Sequence, residues 1–341
     1  QNKKIKMSAT STSQTLGAPI PPSTITAGTK LSTKERKALV EIELAEKDKN
    51  RWSFFSSNSK YEDAAEHYVK AGNLFRVSRN WIEAGRAFMQ AAEMCIKTNS
   101  NHQAANWYVK AANAFRKNGP KETIMCLDAA INMYTDAGRF HLAAKYQQEV
   151  AELFEEQLQL EEAINAYEVA AEYFDGDNSK SQATKCLLKV AEFSAQLEKY
   201  ARAIEIYEQV GINSLGNNLL KWGARTHFLR AGLCRLAQED SVGAQRAIER
   251  YQDLDCSFSS QRECKLLVTL TKAVVDFDVE TFTNTVIEYD SLTKLDSWTT
   301  TILLRIKNTI SDEDAPPSAK EENSTDQKVV GGADDLGDDL C

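Results

Sequence analysis

An alanine returns about every 20 residues through most of this chain: Ala64, Ala84, Ala104, Ala144, Ala163, Ala183, Ala203, Ala224 and Ala244, with Ile124 in the one gap. A fixed period of that length is one helix plus a turn, repeated. A second small residue usually follows two helical turns later, at Ala71, Ala91, Ala111, Ala130, Ala151, Ala170, Ala191 and Ala231. Two turns bring a side chain back to the same helix face. Tyr68, Phe88, Tyr108, Tyr167, Tyr207 and Phe228 fill the turn between. The pattern predicts amphipathic helices of roughly 15 residues, in which alanines let neighbours approach and aromatics fill the gaps.

A longer period lies over the first. Ile124, Ile164 and Ile204 share one phase, and the alternate helices place Lys145, Lys185 and Arg225 there. Helices that differ alternately form a helix-pair repeat, stacked as in tetratricopeptide arrays. The pair here is 40 residues long, above the ~34 of that standard repeat. From residue 34 to 310 only Pro120 interrupts, which suits continuous helix formation. Past residue 255 the rhythm weakens. Segments 261–275, 279–291 and 296–310 still read as helices and are expected to cap the array. The fold class is therefore all-α: a tetratricopeptide-like solenoid of antiparallel helix pairs over 34–255, with a C-terminal helical bundle over 256–310. Residues 1–33, rich in Ser, Thr, Pro and Gly, are expected to be a disordered extension, with Met7 a candidate start. Residues 311–341 are expected to be a disordered acidic tail.

That tail holds ten acids and two bases, a difference of −8, which equals the net charge of the whole chain. The helical body is neutral, which argues against bulk nucleic-acid binding. Seven cysteines, an odd number, sit mostly beside Ala and Leu in helical patterns. They read as reduced thiols of a cytoplasmic protein, with no zinc or disulfide framework. No run is apolar enough for a membrane span or a signal-peptide core. The sequence lacks a phosphate-binding GxxxxGK[ST] loop, an HExxH pair and a GxSxG elbow, so neither an enzyme nor a cofactor or metal site is expected. His67 and His102 fall among ordinary helical residues and read as structural.

Three features can carry function. Lys145, Lys185 and Arg225, one helix pair apart, should stack along one surface, with Lys189 a turn beyond Lys185 and Arg262 extending the line. A row of bases suits an elongated acidic partner; the alternative is a solvated charged face. Trp52, Phe54 and Phe55 lie in a Ser-rich stretch flanked by Lys47, Lys49, Arg51 and Lys60. Aromatics ringed by bases suit an anionic membrane surface; the alternative is that they fold back onto the helices. The acidic tail ends near Leu340, as a docking peptide would, or it serves only solubility.

Several strings resemble the alpha-type soluble NSF attachment proteins. They are CLLKVAEFSAQLEKYARAIEIYEQVG after Lys185, RECKLL at 262–267, EYDSLTKLDSW at 288–298 and LLRIKNTI at 303–310. Weaker similarity, including MYTDAGRFHLAAK at 133–145, covers roughly 36 to 310. The resemblance implies a curved array of helix pairs that binds assembled SNARE complexes, several copies to a bundle. It also implies recruitment of the NSF ATPase for their disassembly in vesicle transport, and a cytoplasmic protein peripherally bound to membranes. By the same resemblance, acidic SNARE side chains would meet Arg139, Lys145, Lys185, Lys189, Arg225 and Arg262. A membrane loop would use Phe54 and Phe55, with Trp52 beside them. NSF would meet acids followed by Leu. Asp338, Asp339 and Leu340 match that pattern better than Asp312, Glu313 and Asp314. Two departures stand out. Ser56, Ser57, Asn58 and Ser59 replace a second apolar patch after the Phe pair, and the tail is extended by about 25 residues, which lowers effective concentration. The other reading is a generic tetratricopeptide-like scaffold for short peptides, which needs bases converging on one groove.

Overall fold

The 20-residue rhythm sets the helix boundaries. A computed structural model describes residues 31–51, 57–217 and 219–312. Those residues form fourteen α-helices, one short 3-10 turn and no strand. They fall into two compact units that divide between Cys186 and Leu187.

The first unit holds α1 (Thr33–Asn50), α2 (Ser57–Val77), α3 (Trp81–Lys97), α4 (Asn101–Phe115), α5 (Pro120–Asp136), α6 (Phe140–Glu156), α7 (Leu160–Gly176) and the start of α8 (Lys180–Gln196). From α1 to α7 each helix packs on the next, and short turns make such neighbours antiparallel. The chain enters α1 through a capping box. Ser32 Oγ accepts the Glu35 N–H at 3.2 Å, and the Glu35 carboxylate accepts the Ser32 N–H at 2.8 Å. Two of the four free donors at the helix start are thereby satisfied.

The periodic alanines and aromatics are the core. Ala64, Ala84, Ala104, Ala163, Ala203 and Ala244 are wholly buried, as are nearly all of Tyr68, Phe88, Tyr108, Tyr207 and Phe228. At α5 the expectation needs correcting: Thr123, not Ile124, is the fully buried residue of that phase. Pro120 starts α5, so Thr123 falls fourth, where Ala84 and Ala104 fall in their helices. Its buried hydroxyl is satisfied by donating to Gly119 O at 2.8 Å. Glycine supplies the closest approach. A Cβ on Gly72 would lie 2.7 Å from the Phe88 ring, and one on Gly211 would lie 2.7 Å from the Phe228 ring.

Most helices end the same way. Arg79, Asn99, Leu158, Asn178, Glu198, Glu239 and Phe277 are left-handed, with φ between 54° and 62°, as is Gly138 at 66°. The next residue's N–H then reaches back five positions, as in Asn80 to Phe75 O (2.9 Å) and Ser100 to Cys95 O (2.8 Å). This closing pattern satisfies carbonyls the helix would otherwise leave free.

The second unit holds the rest of α8, then α9 (Tyr200–Leu215), α10 (Lys221–Ala237), α11 (Ser241–Leu254), a 3-10 turn (Phe258–Ser260), α12 (Arg262–Val275), α13 (Val279–Leu292) and α14 (Ser297–Asp312). The three last helices fall close to the spans expected from the sequence. α14 returns to the start of the unit. Trp298 Nε1 donates to Glu192 O at 3.2 Å. Arg305 donates to Ala195 O and Gln196 O at 3.0 and 2.9 Å, tying down the last carbonyls of α8. Arg230 lies 4.8 Å from the Trp298 ring centroid and 2.6 Å from an Asp296 carboxylate oxygen.

The expected terminal segments, apart from residues 31–33 and 311–312, lie outside the described residues. So do Trp52, Phe54, Phe55, Glu313, Asp314, Asp338, Asp339 and Leu340. Asp312 ends α14, and only its backbone is described.

Candidate protein-binding surface

Lys145, Lys185 and Arg225 each stand six residues before a fully buried alanine, namely Ala151, Ala191 and Ala231. The alanine fixes which face of its helix is inward. A residue six positions earlier is turned about 120° from it and reaches the rim.

In the first unit, Arg139 sits exposed in the α5–α6 turn, its Nη1 2.6 Å from His102 Nε2. Lys145 is exposed on α6, with Nζ 5.8 Å from the Tyr146 ring and no carboxylate partner among the described residues. It lines a cleft of about 360 Å³ with Arg116, Gln148, Glu149 and Gln182. Arg116 holds Glu149 at 2.9 Å. Lys185 is exposed on α8 and likewise forms no ion pair among the described residues.

The second unit treats its bases differently. Lys189, one turn along α8 from Lys185, lies half-buried with Nζ 5.2 Å from the Phe193 ring. Arg225 is held on α12: its Nε is 3.3 Å from Glu263 Oε1, and its Nη1 donates to Gln261 Oε1 at 3.0 Å. Arg262, exposed at the first position of α12, donates to Thr293 Oγ1 at 3.1 Å. Both guanidinium groups act on the Tyr289 phenol, which burial holds above its ordinary range against their pull.

The thiols are poorly placed for chemistry. Burial pushes Cys126 and Cys234 up to about 12 and Cys186 up to about 11, so they stay protonated and unreactive at neutral pH. Among the described residues Cys256 is the exposed thiol, and no disulfide forms. No described helix is long and apolar enough to cross a membrane.

Sequence reasoning missed Arg116, the His102 partner of Arg139, and the Glu263 partner of Arg225. The last two are 37 and 38 positions away in sequence, so no local pattern announces them.

Antiparallel helices packed each on the next define a helical-repeat module in the first unit, with exposed bases on its surface. A sequence profile for "Soluble NSF attachment protein, SNAP" matches residues 36–311. The chain belongs to the soluble NSF attachment protein family. The human "Alpha-soluble NSF attachment protein" is 46% identical, over 83% of this chain and 98% of its own length. The Dictyostelium discoideum protein of the same name is 50% identical, over 82% and 97%. A "Probable vesicular-fusion protein sec17 homolog" of Neurospora crassa is 40% identical, over 80% and 94%.

Proposed function

We propose that this chain is a non-enzymatic adaptor that binds assembled SNARE complexes and recruits the NSF ATPase to disassemble them in vesicle transport and membrane fusion. The observation that carries this reading is the pair of unpaired lysines, Lys145 and Lys185, on exposed helical turns 40 residues apart in a member of this family. An acidic helical bundle offers carboxylates along its length, and free bases repeated along an array answer that pattern. Arg139, Lys189, Arg225 and Arg262 complete the proposed SNARE contact. Trp52, Phe54 and Phe55 are the proposed contact with the membrane surface, where the protein would sit peripherally on the cytoplasmic side. Asp338, Asp339 and Leu340 are the proposed contact with NSF, with Asp312, Glu313 and Asp314 as the other candidate set.

NSF-driven disassembly of a purified SNARE complex tests this reading. The full chain is compared with one ending at Val329. Disassembly with the full chain and its loss on truncation supports the role and the terminal NSF contact. Disassembly that survives truncation moves the contact to residues 312–314. No disassembly with either chain sinks the adaptor reading and favours the peptide-binding scaffold.

A further inference from the structure

Leu219, Leu220 and Trp222 are 89%, 57% and 69% exposed and occupy three of four consecutive positions. They stand where α9 passes to α10, a connection longer and more apolar than three-residue turns such as Ser78-Arg79-Asn80. The turn is built rather than loose. Asn217 Oδ1 accepts the Leu219 N–H at 2.9 Å, and Asn217 O accepts the N–H groups of Leu220 and Lys221 at 3.0 and 2.9 Å. Three large apolar side chains held in water within four positions make this turn a candidate docking surface.

The rim says what kind of group that is. The Arg225 guanidinium lies 5.7 Å from the Trp222 ring centroid. Lys221 follows Leu220, and Arg262 is exposed at the start of α12. The nearby acids, Asp255 and Glu263, are both only 14% exposed and are turned to Lys221 and Arg225. An occupant with leucine-like side chains and carboxylates fits this setting.

The chain carries such a segment beyond α14: Asp334-Asp335-Leu336-Gly337-Asp338-Asp339-Leu340. Residues 313–333 separate it from the end of α14. A span of that length reaches up to about 70 Å when extended. α10, with 17 residues, is about 25 Å long, so distance within the unit is no obstacle. Residues 1–32 carry Lys3, Lys4, Lys6 and Lys30 and no acid, so the basic rim would repel them. A second copy needs roughly 800 Å² on each partner for a standard interface, well beyond three side chains.

We propose that residues 334–340 dock on the Leu219, Leu220 and Trp222 patch of their own chain. The two leucines cover apolar surface, and the aspartates meet Lys221, Arg225 and Arg262. Under the adaptor reading, a docked tail withholds both Arg225 and the Asp338-Asp339-Leu340 set until partners compete for them. The docking itself needs no second protein and stands or falls apart from that reading.

Amide hydrogen exchange at Leu219–Gly223 tests it. A tethered segment at roughly millimolar effective concentration, with an intrinsic Kd near 0.1 mM, slows exchange there about tenfold. The full chain is compared with a chain ending at Val329 and with full-length Leu336→Ser/Leu340→Ser. Protection in the full chain, lost in both others and weakened by salt, is the expected result. Equal exchange in all three overturns the proposal. Protection that disappears on dilution overturns it in favour of a second copy. Trp222-dependent binding of the full chain to phosphatidylserine-rich vesicles, undiminished by the tail, overturns it in favour of a membrane.

Discussion

The two compact units carry bases of the same sign in opposite conditions. In the first, Lys145 and Lys185 stand exposed and form no ion pair among the described residues. In the second, Arg225 is held between Glu263 and Gln261, and Arg262 by Thr293. A free lysine gives up no internal bond when an acidic partner arrives, but its long side chain must be ordered. A held arginine is already ordered, yet it must exchange one carboxylate for another. Bases evenly spaced in sequence are therefore not bases of equal energy.

The sharpest way to break this comparison is charge reversal. Lys145→Glu with Lys185→Glu should weaken binding to a SNARE complex about 100-fold at low salt, and less at high salt. Its urea midpoint should fall only slightly, because neither lysine forms an ion pair among the described residues and the added repulsion beside Glu149 and Glu152 is a surface effect. Arg225→Ala should weaken binding by less than about tenfold and lower stability by about 1 kcal/mol, since it strips Glu263 of its partner. Equal binding losses with no change in stability would mean that the two units present their bases alike.

Acid should separate the units next. Burial and the nearby Arg230 charge push His227 down to about 4. Between that value and the ordinary 6.5 the unfolded chain takes up a proton that the folded unit refuses. Stability from this group is thus full above about pH 6.5 and falls as pH drops, by up to about 2 kcal/mol from pH 7 to 5. Urea melts at the two pH values read this slope, and His227→Gln should flatten it. An unchanged slope would assign the acid sensitivity elsewhere.

The smallest effect concerns the turns. Leu158 is 82% exposed and left-handed, a conformation that strains any residue with a Cβ by about 1 kcal/mol. Leu158→Gly should raise stability by up to that amount in a thermal melt. A fall would show that the leucine makes a contact worth more than its strain.

The repeat was legible because its signal is local and dense. The spacing from Ala64 to Ala244 gives both period and inward face, and the three last helices fall within two residues of their expected ends. The single slip in phase, Ile124 for Thr123, arose because a threonine with a satisfied hydroxyl buries as an alanine does. Helix ends were harder to read. Glycine marks such a stop at Gly138, but Arg79, Asn99, Leu158, Asn178, Glu198, Glu239 and Phe277 mark it elsewhere. At the binding surface the spacing gave the three bases but not their conditions. Whether a base is free or held depends on residues such as Glu263, which no helical period brings near Arg225.

The clasp made by Arg305 also has a consequence for synthesis. In the first unit the described side-chain bonds span at most 45 positions, as from Asn80 to Glu35. Those helices can therefore settle in the order the ribosome delivers them. In the second unit, Ala195 O waits for Arg305, 110 positions later. At roughly 5–20 residues per second that wait lasts about 5 to 20 seconds. During it, the apolar seat of Trp298 beside α8 and α9 lies open to any chaperone or neighbouring nascent chain.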